Sequence, residues 1–372
     1  MEDRSNAGEA EWRARAREFA NSVVLPESGV IDREDRFPTE LRGQLASAGF
    51  LGVGLPERWG GQGGDTGCVA AVIEELSRAS AAVATLVSVH LSVCAQPIDR
   101  WGTEAQKEAF LRPLAEGRWL GAFALTEPGA GSDAARIACR YRGEGEEYVL
   151  DGSKMFITNG ASADVVLTFA AATAGPFSGR ISAFLLRRGT PGFRSAQRLD
   201  KLGLRGSETN ELLFEGVRVP AGARLGEEGH GLALALGALT GGRVGIAACA
   251  LGVAQAAYDE VQRSVAADSE DWRRTILARS FTRLTAARAL VERAARLKDR
   301  GADFVLDASA AKLACSQAAT WIAEKAVDLG GPVAALSSSR PAQLLRDARV
   351  FPIVEGTTEV QEMILGRALA GD

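Results

Sequence analysis

The feature that most constrains this 372-residue chain is its hydrophobic period, which changes twice along its length. Up to about Gly117 the apolar residues recur at helical spacing: Trp12, Ala16, Phe19 and Val23 line one stripe, and Leu41 and Leu45 repeat the pattern after Pro38. The glycine-dense stretch Trp59-Gly60-Gly61-Gln62-Gly63-Gly64 reads as a loop between helices, because no strand precedes it and no spaced G-x-G-x-x-G is present. From Trp119 to about Val219 the pattern becomes short apolar runs bounded by Gly, Pro or Ser, including Tyr148-Val149-Leu150, 164–169, 181–186 and 211–214. Asp151-Gly152, between Tyr148-Val149-Leu150 and Lys154-Met155-Phe156-Ile157-Thr158, predicts a hairpin turn. After Pro220-Ala221-Gly222 helical spacing returns, with Ile246, Ala250, Ala257 and Val261 on one face and Leu277, Phe281, Leu284, Ala287 and Val291 on another. A third helix is expected over roughly 304–329, stopped by Gly330-Gly331-Pro332, and a last one after Thr358, capped by Thr358 with Gln361. The expected fold is α+β multidomain: an N-terminal helical domain over 1–117, a central β domain over 118–222 and a C-terminal four-helix bundle over 223–372.

Composition narrows the function classes. A net charge of -4, with Lys and Arg interspersed among Asp and Glu, gives no footprint for nucleic acid. Five scattered cysteines lack zinc spacing, and their odd number argues against a disulfide framework, so a reducing cytoplasm is expected. With only His90 and His230 in the chain, a histidine-rich metal centre or proton relay is excluded by supply, and no metal site is expected. The first residues have neither the apolar core of a signal peptide nor the acid-poor character of a transit peptide, and no run of about 18 apolar residues suggests a membrane span.

Chemistry-bearing residues gather in 121–160. In Thr126-Glu127-Pro128-Gly129-Ala130-Gly131-Ser132, two glycines let backbone amides approach a ligand while Thr126 and Ser132 offer hydroxyls. Such a loop suits a phosphate or a polar ring edge, and an ordinary turn has the same composition. In Lys154-Met155-Phe156-Ile157-Thr158-Asn159-Gly160, Phe156 and Thr158 are two apart and share a strand face, so an aromatic ring and a hydroxyl can meet a flat cofactor together. A core Phe beside an exposed Thr would look alike.

Together these segments resemble the flavin-binding signature of the acyl-CoA dehydrogenases, and Val354-Glu355-Gly356-Thr357-Thr358-Glu359 resembles the segment that carries the catalytic base in that family. The resemblance continues through Leu199-Asp200-Lys201-Leu202-Gly203-Leu204-Arg205-Gly206-Ser207 and Val217-Arg218-Val219-Pro220, and so covers nearly the whole chain. It implies an acyl-CoA dehydrogenase-like fold, FAD as cofactor, and α,β-dehydrogenation of an acyl thioester carried on coenzyme A or an acyl carrier protein. By resemblance, Thr126 hydrogen-bonds the flavin pyrimidine edge, Ser132 sits near the cofactor phosphates and the substrate, Phe156 stands where many relatives have Trp, and Thr158 reaches the hydride-accepting nitrogen. Phe123, Leu125, Ile157, Thr357 and Glu359 complete the implied cofactor contacts, while Arg243 and Gly356 join Ser132 on the substrate side. Glu355 matches the α-proton-abstracting base of short- and medium-chain relatives, with its own backbone amide and a ribityl hydroxyl stabilising the enolate. A second subgroup places its base where this chain has Gly242. Removing such a proton requires a carboxylate in a dry pocket, whose burial raises its pKa while the adjacent helix start lowers it. The implied electron acceptor is an electron-transfer flavoprotein, or oxygen if the same fold works as an oxidase or monooxygenase.

Two departures complicate the resemblance. The family's Arg-x-x-Phe-Gly stretch, which reaches a neighbouring subunit's flavin, is missing between Ala256 and Arg274, and Gln-x-x-Gly-Gly survives only as Val327-Asp328-Leu329-Gly330-Gly331. Three explanations stay open: a hetero-oligomer whose partner completes the site, a homo-oligomer using Arg263, Arg273 or Arg274 instead, or a flavin-poor, non-catalytic subunit. A smaller departure is Thr240, where medium-chain relatives have Asp.

Overall fold

The computed structural model describes residues 2–36, 38–268 and 270–371. Helices come first: α1 (Glu2–Phe19), α2 (Leu25–Glu34), α3 (Thr39–Ser47), α4 (Thr66–Ala79), α5 (Ala81–Ser88), α6 (Gln96–Trp101), and the short α7 (Glu104–Gln106) and α8 (Arg112–Ala115). Wider π turns at 20–24, 89–95 and 107–111 join consecutive helices without a break. α4 starts where the Asp65 side chain accepts a hydrogen bond from Cys68 N at 2.8 Å, and α7 carries a complete capping box between Thr103 and Gln106. Nearly all of α4 and α5 is buried; α5 is almost continuously apolar, whereas α4 also buries Glu74 and Glu75, which pair with Arg13, Arg17 and Arg288. Residues 81–101 are long and apolar enough to span a membrane, contrary to the sequence expectation, but 94% of that window is buried inside the protein. The same test is passed by 231–267, the central helix of the C-terminal bundle. Their apolarity is accounted for by core packing.

An eight-stranded mixed sheet follows: β1 (Gly121–Ala124), β2 (Arg140–Glu144), β3 (Glu147–Thr158), β4 (Val165–Ala172), β5 (Ile181–Arg187), β6 (Phe193–Arg198), β7 (Thr209–Pro220) and β8 (Arg224–Leu225). Its order is β6-β7-β3-β2-β4-β5-β8, with β1 parallel to β4 at Gly121↔Val165. The hairpin predicted at Asp151-Gly152 is not there. β3 runs straight through the pair, and its pairing with β7 shifts register between Leu150 and Gly152, so the Asp-Gly signal marks a bulge. Gly152 has φ of 141°, and a Cβ there would lie 2.7 Å from Cys139 Cα, so only glycine fits. The real turn is between β2 and β3 at Gly145, with φ of 66°.

The C-terminal unit contains α9 (Gly231–Ala267), α10 (Asp271–Asp299), α11 (Val305–Ala334), α12 (Arg340–Ala348) and α13 (Thr358–Ala370). Among the described residues this is three long helices and two short ones, where four long ones were expected. α12 lies in a polar segment without a long apolar stripe. Gly331, at φ 63°, breaks the helical geometry of α11 just before Pro332. Phe281, expected on the buried face of α10, is exposed, whereas Leu284, Ala287 and Val291 are buried. α9 is the axis of the molecule: it packs on α4, α10 and α11 and also touches β4 and β5, and Ser77 Oγ on α4 donates to Cys249 O at 2.6 Å. One core joins the N-terminal helices, one face of the sheet and the bundle; a smaller one around Tyr141, Tyr148, Phe184 and Phe214 fills the sheet's other face.

Candidate active site

Glu355 sits in the turn before α13. It has a left-handed backbone, φ 52°, followed by Gly356 at φ 93°. A left-handed conformation costs a residue with a Cβ roughly 1–2 kcal/mol, so the turn persists only because its surroundings hold it. Those surroundings are specific. The Gly356 carbonyl accepts hydrogen bonds from Lys312 Nζ at 2.7 Å and from Gln361 Nε2 at 3.1 Å. Glu355 Oε2 is buried without a hydrogen-bond partner, and a Cβ on Gly242 would overlap it and lie 2.7 Å from Val93 Cγ1. The position of the alternative family base and the carboxylate of Glu355 thus meet at one point in space. Burial pushes the Glu355 carboxyl up to about 7, with the charges of Arg243 and Lys312 pulling it back down. Among the described residues the Glu355 N–H has no protein acceptor.

Arg243, on α9, is only 6% exposed; it donates to Ser309 Oγ at 3.3 Å and leaves Nε without a partner. Burial lowers its pKa and Glu355 opposes that shift, so it is a buried cation facing the candidate base, not a member of a paired bundle salt bridge. The cap of α13 is Thr357, not Thr358: its hydroxyl accepts from Val360 N at 3.3 Å, while Gln361 turns back to Gly356. Glu359 is exposed in the first turn of α13.

The sheet assembles the second group. Met155 N donates to Thr126 O at 2.8 Å, laying the loop after β1 along β3. Below it lies an ion pair that sequence reading missed: Lys154 Nζ and Glu127 Oε1 are 2.7 Å apart, both side chains almost wholly buried. Lys154 also donates to Leu125 O at 3.0 Å, and the Glu127 carboxylate accepts from Cys139 N at 3.0 Å and from Ala138 N. A Lys and a Glu flanking the two motif segments were the available signal. The pair fixes Thr126 relative to Phe156 and Thr158. Phe156 is 63% exposed at φ 62°, beside a second register shift in β3, so a bulge and not simple alternation sets its direction. Thr158 is half-buried and Ser132 exposed. Phe123 is half-buried against Phe169, with ring centroids 5.1 Å apart. Leu125 and Ile157 are buried, so only their main-chain groups can serve a ligand. An exposed ring in a held, unfavourable backbone conformation, next to partly accessible threonines, fits one face of a flat heteroaromatic group.

The two groups are tied together by the π segment 89–95. Gly121 at the start of β1 packs on Cys94, and Val93 approaches Gly242 beside Glu355. Asn159 Nδ2 donates to Leu86 O at 3.2 Å and to Gly121 O at 3.1 Å, joining β3 to α5. The remnants of the two interface motifs also meet, since Arg273 Nη1 donates to Leu329 O at 3.3 Å beside Gly330-Gly331. Arg263 and Arg274 are held at the surface by Glu260 and Asp271.

The candidate site thus consists of a buried carboxylate on the helical bundle and an exposed ring with hydroxyls on the sheet, the two groups joined through the 89–95 segment. Comparison with known proteins gives the family. The chain matches the acyl-CoA dehydrogenase N-terminal domain over residues 6–118, the middle domain over 122–217 and the C-terminal domain over 229–370. It is 41% identical over 371 residues to an acyl-CoA dehydrogenase of Bacillus subtilis, covering 96% of this chain and 97% of that one. Its structure resembles butyryl-CoA dehydrogenase from Megasphaera elsdenii, with a TM-score of 0.94, 38% identity and 98% of each chain covered. It also resembles a glutaryl-CoA dehydrogenase from Mycobacterium smegmatis in complex with FADH2, with a TM-score of 0.92, 30% identity and coverage of 98% and 95%. The chain belongs to the acyl-CoA dehydrogenase family, and it is an oxidoreductase acting on CH–CH groups.

Proposed function

We propose that the protein dehydrogenates an acyl-CoA thioester at its α,β bond, with Glu355 as base and FAD as cofactor. The observation that carries this reading is the buried, unpartnered Glu355 Oε2, held on a left-handed turn between two cations. Glu355 takes the α-proton, and its backbone N–H is free to donate to the thioester oxygen as charge develops there. Arg243 and Lys312 favour the carboxylate and partly offset the burial that raises its pKa to about 7. Phe123, Thr126, Ser132, Phe156 and Thr158, with main-chain groups of Leu125 and Ile157, would hold FAD together with Thr357 and Glu359, while Ser132, Arg243 and Gly356 would face the thioester. When bound, FAD accepts the hydride that leaves the β carbon.

Coenzyme A is preferred over an acyl carrier protein because the butyryl-CoA dehydrogenase is 38% identical, whereas a structurally similar prolyl acyl carrier protein oxidase is 28% identical, and an electron-transfer flavoprotein is preferred over oxygen as acceptor on the family relationship. The site is completed in an oligomer, homomeric or heteromeric, since the family's cross-subunit flavin contacts are altered in this chain. Mixing Glu355→Gln with butyryl-CoA under anaerobic conditions tests the base: the yellow flavin band should persist, with flavin content equal to wild type. Bleaching at the wild-type rate would remove Glu355 from the role. A purified protein that is colourless and takes up no FAD would remove the flavin reading itself.

A further inference from the structure

Lys312 is not among the residues marked by the family resemblance, yet it touches the base's turn more directly than any other cation. It lies on α11, fully buried, and its Nζ donates to the Gly356 carbonyl at 2.7 Å. The carbonyl it grips belongs to the residue after Glu355, and Gln361 Nε2 on α13 grips the same oxygen. Helix α11, the turn and α13 therefore converge on a single acceptor. Among the described residues, the grip falls on the one place where two consecutive residues have positive φ and have to be kept in register. A buried ammonium is expensive unless its charge is answered. Here the hydrogen bond goes to a neutral carbonyl, and the charges acting on Lys312 are Glu355 and Glu359, which favour the ammonium, and Arg243 on α9, which opposes it.

We infer that Lys312 is a positioning residue for the catalytic base: its buried ammonium fixes the left-handed Glu355-Gly356 turn through the Gly356 carbonyl and, with Arg243, supplies the positive charge that favours the Glu355 carboxylate against its burial. This rests on Glu355 being the base. Electrostatics agree from both sides. Burial lowers Lys312 to about 8 with Glu355 as the largest opposing influence, and Lys312 in turn holds Glu355 down.

The test separates charge from grip. Lys312→Gln keeps a donor for the Gly356 carbonyl and loses the charge, whereas Lys312→Met loses both. In the pH profile of kcat/KM, activity requires ionised Glu355, so loss of the nearby charge should move the acid limb to higher pH. A shift of one unit would cut kcat/KM at pH 6 about tenfold for Lys312→Gln. Lys312→Met should show the same shift and a further drop in kcat. Infrared titration of the carboxyl band that disappears in Glu355→Gln should move in parallel, independently of turnover. An acid limb and a carboxyl titration at wild-type pH in both variants would overturn the inference. So would loss of fold in both, which would make Lys312 a residue of the core alone. If Glu355→Gln still bleaches with substrate, it is the base assignment that fails, and that outcome is distinct from a Lys312 variant without effect.

Discussion

At Glu355, burial and charge act against each other, and with Glu355 as the proposed base the balance would set the working pH. A carboxyl raised to about 7 is half protonated near neutrality, so kcat/KM should climb through that range as the base ionises and level off above it. A profile that is flat from pH 5.5 to 8.5 would contradict the raised pKa. Gly242 decides how much room the carboxylate has. Gly242→Ala places a methyl against Oε2 and Val93 Cγ1, so it should lower kcat by roughly tenfold or more, since small displacements of reacting groups are costly. Thermal unfolding should move little, because α9 favours Ala over Gly. A Gly242→Ala enzyme with wild-type kcat would show that the carboxylate is not held where the structure places it.

Strand β3 and the loop after β1 form one element, joined by a buried charge pair. Burial lowers the Lys154 pKa, and Glu127 opposes that shift. Removing one partner leaves an uncompensated buried charge, so Lys154→Met should cost about 3–5 kcal/mol and loosen flavin by freeing Thr126 from Phe156. Denaturant unfolding and flavin retention on a desalting column measure the two effects; a stability loss below about 1 kcal/mol would mean the pair is not buried as described. The same strand shows why local signals mislead. Asp-Gly is a turn signal for an isolated chain, but β7 pairs with both sides of Gly152 and turns the signal into a bulge. Likewise Thr358 and Gln361 have capping-box spacing, yet Thr357 caps α13: the Thr358 N–H that a capping box needs donates to Pro352 O at 2.8 Å, and Gln361 Oε1 is left without a partner.

Across the whole molecule, His90 couples three segments. Its Nε2 hydrogen-bonds Leu51 O at 2.9 Å and its Nδ1 accepts from Gly121 N at 3.1 Å, which fixes a neutral ring between the N-terminal loop, the 89–95 segment and β1. Burial lowers its pKa to about 4 from the ordinary 6.5. The unfolded chain takes up the proton below 6.5 while the folded one resists it, so this group's stabilisation is complete above 6.5 and is lost progressively down to about 4. The loss amounts to roughly 3 kcal/mol. Urea unfolding of wild type minus His90→Gln, measured between pH 4 and 7, should show that slope; parallel curves would refute it.

The order helix, sheet, helix was legible because period and turn composition are local properties that survive in any fold compatible with them. Glu355, Thr126, Phe156 and Thr158 were singled out as candidates because a long motif match carries more information than any single spacing. Tertiary structure alone decided what surrounds them. Lys312 lies 43 residues from Glu355 in an alanine-rich stripe, and nothing in its neighbourhood marks it as different from a surface lysine snorkelling out of a helix. Lys154 and Glu127 carry no visible sign of burial, and Gly242 reads as one more small residue in a helix. Burial, left-handed backbone and the meeting of opposite charges depend on contacts between segments distant in sequence. Local pattern therefore determines the elements and names the candidate base, while packing sets its pKa, its aim and the room around it.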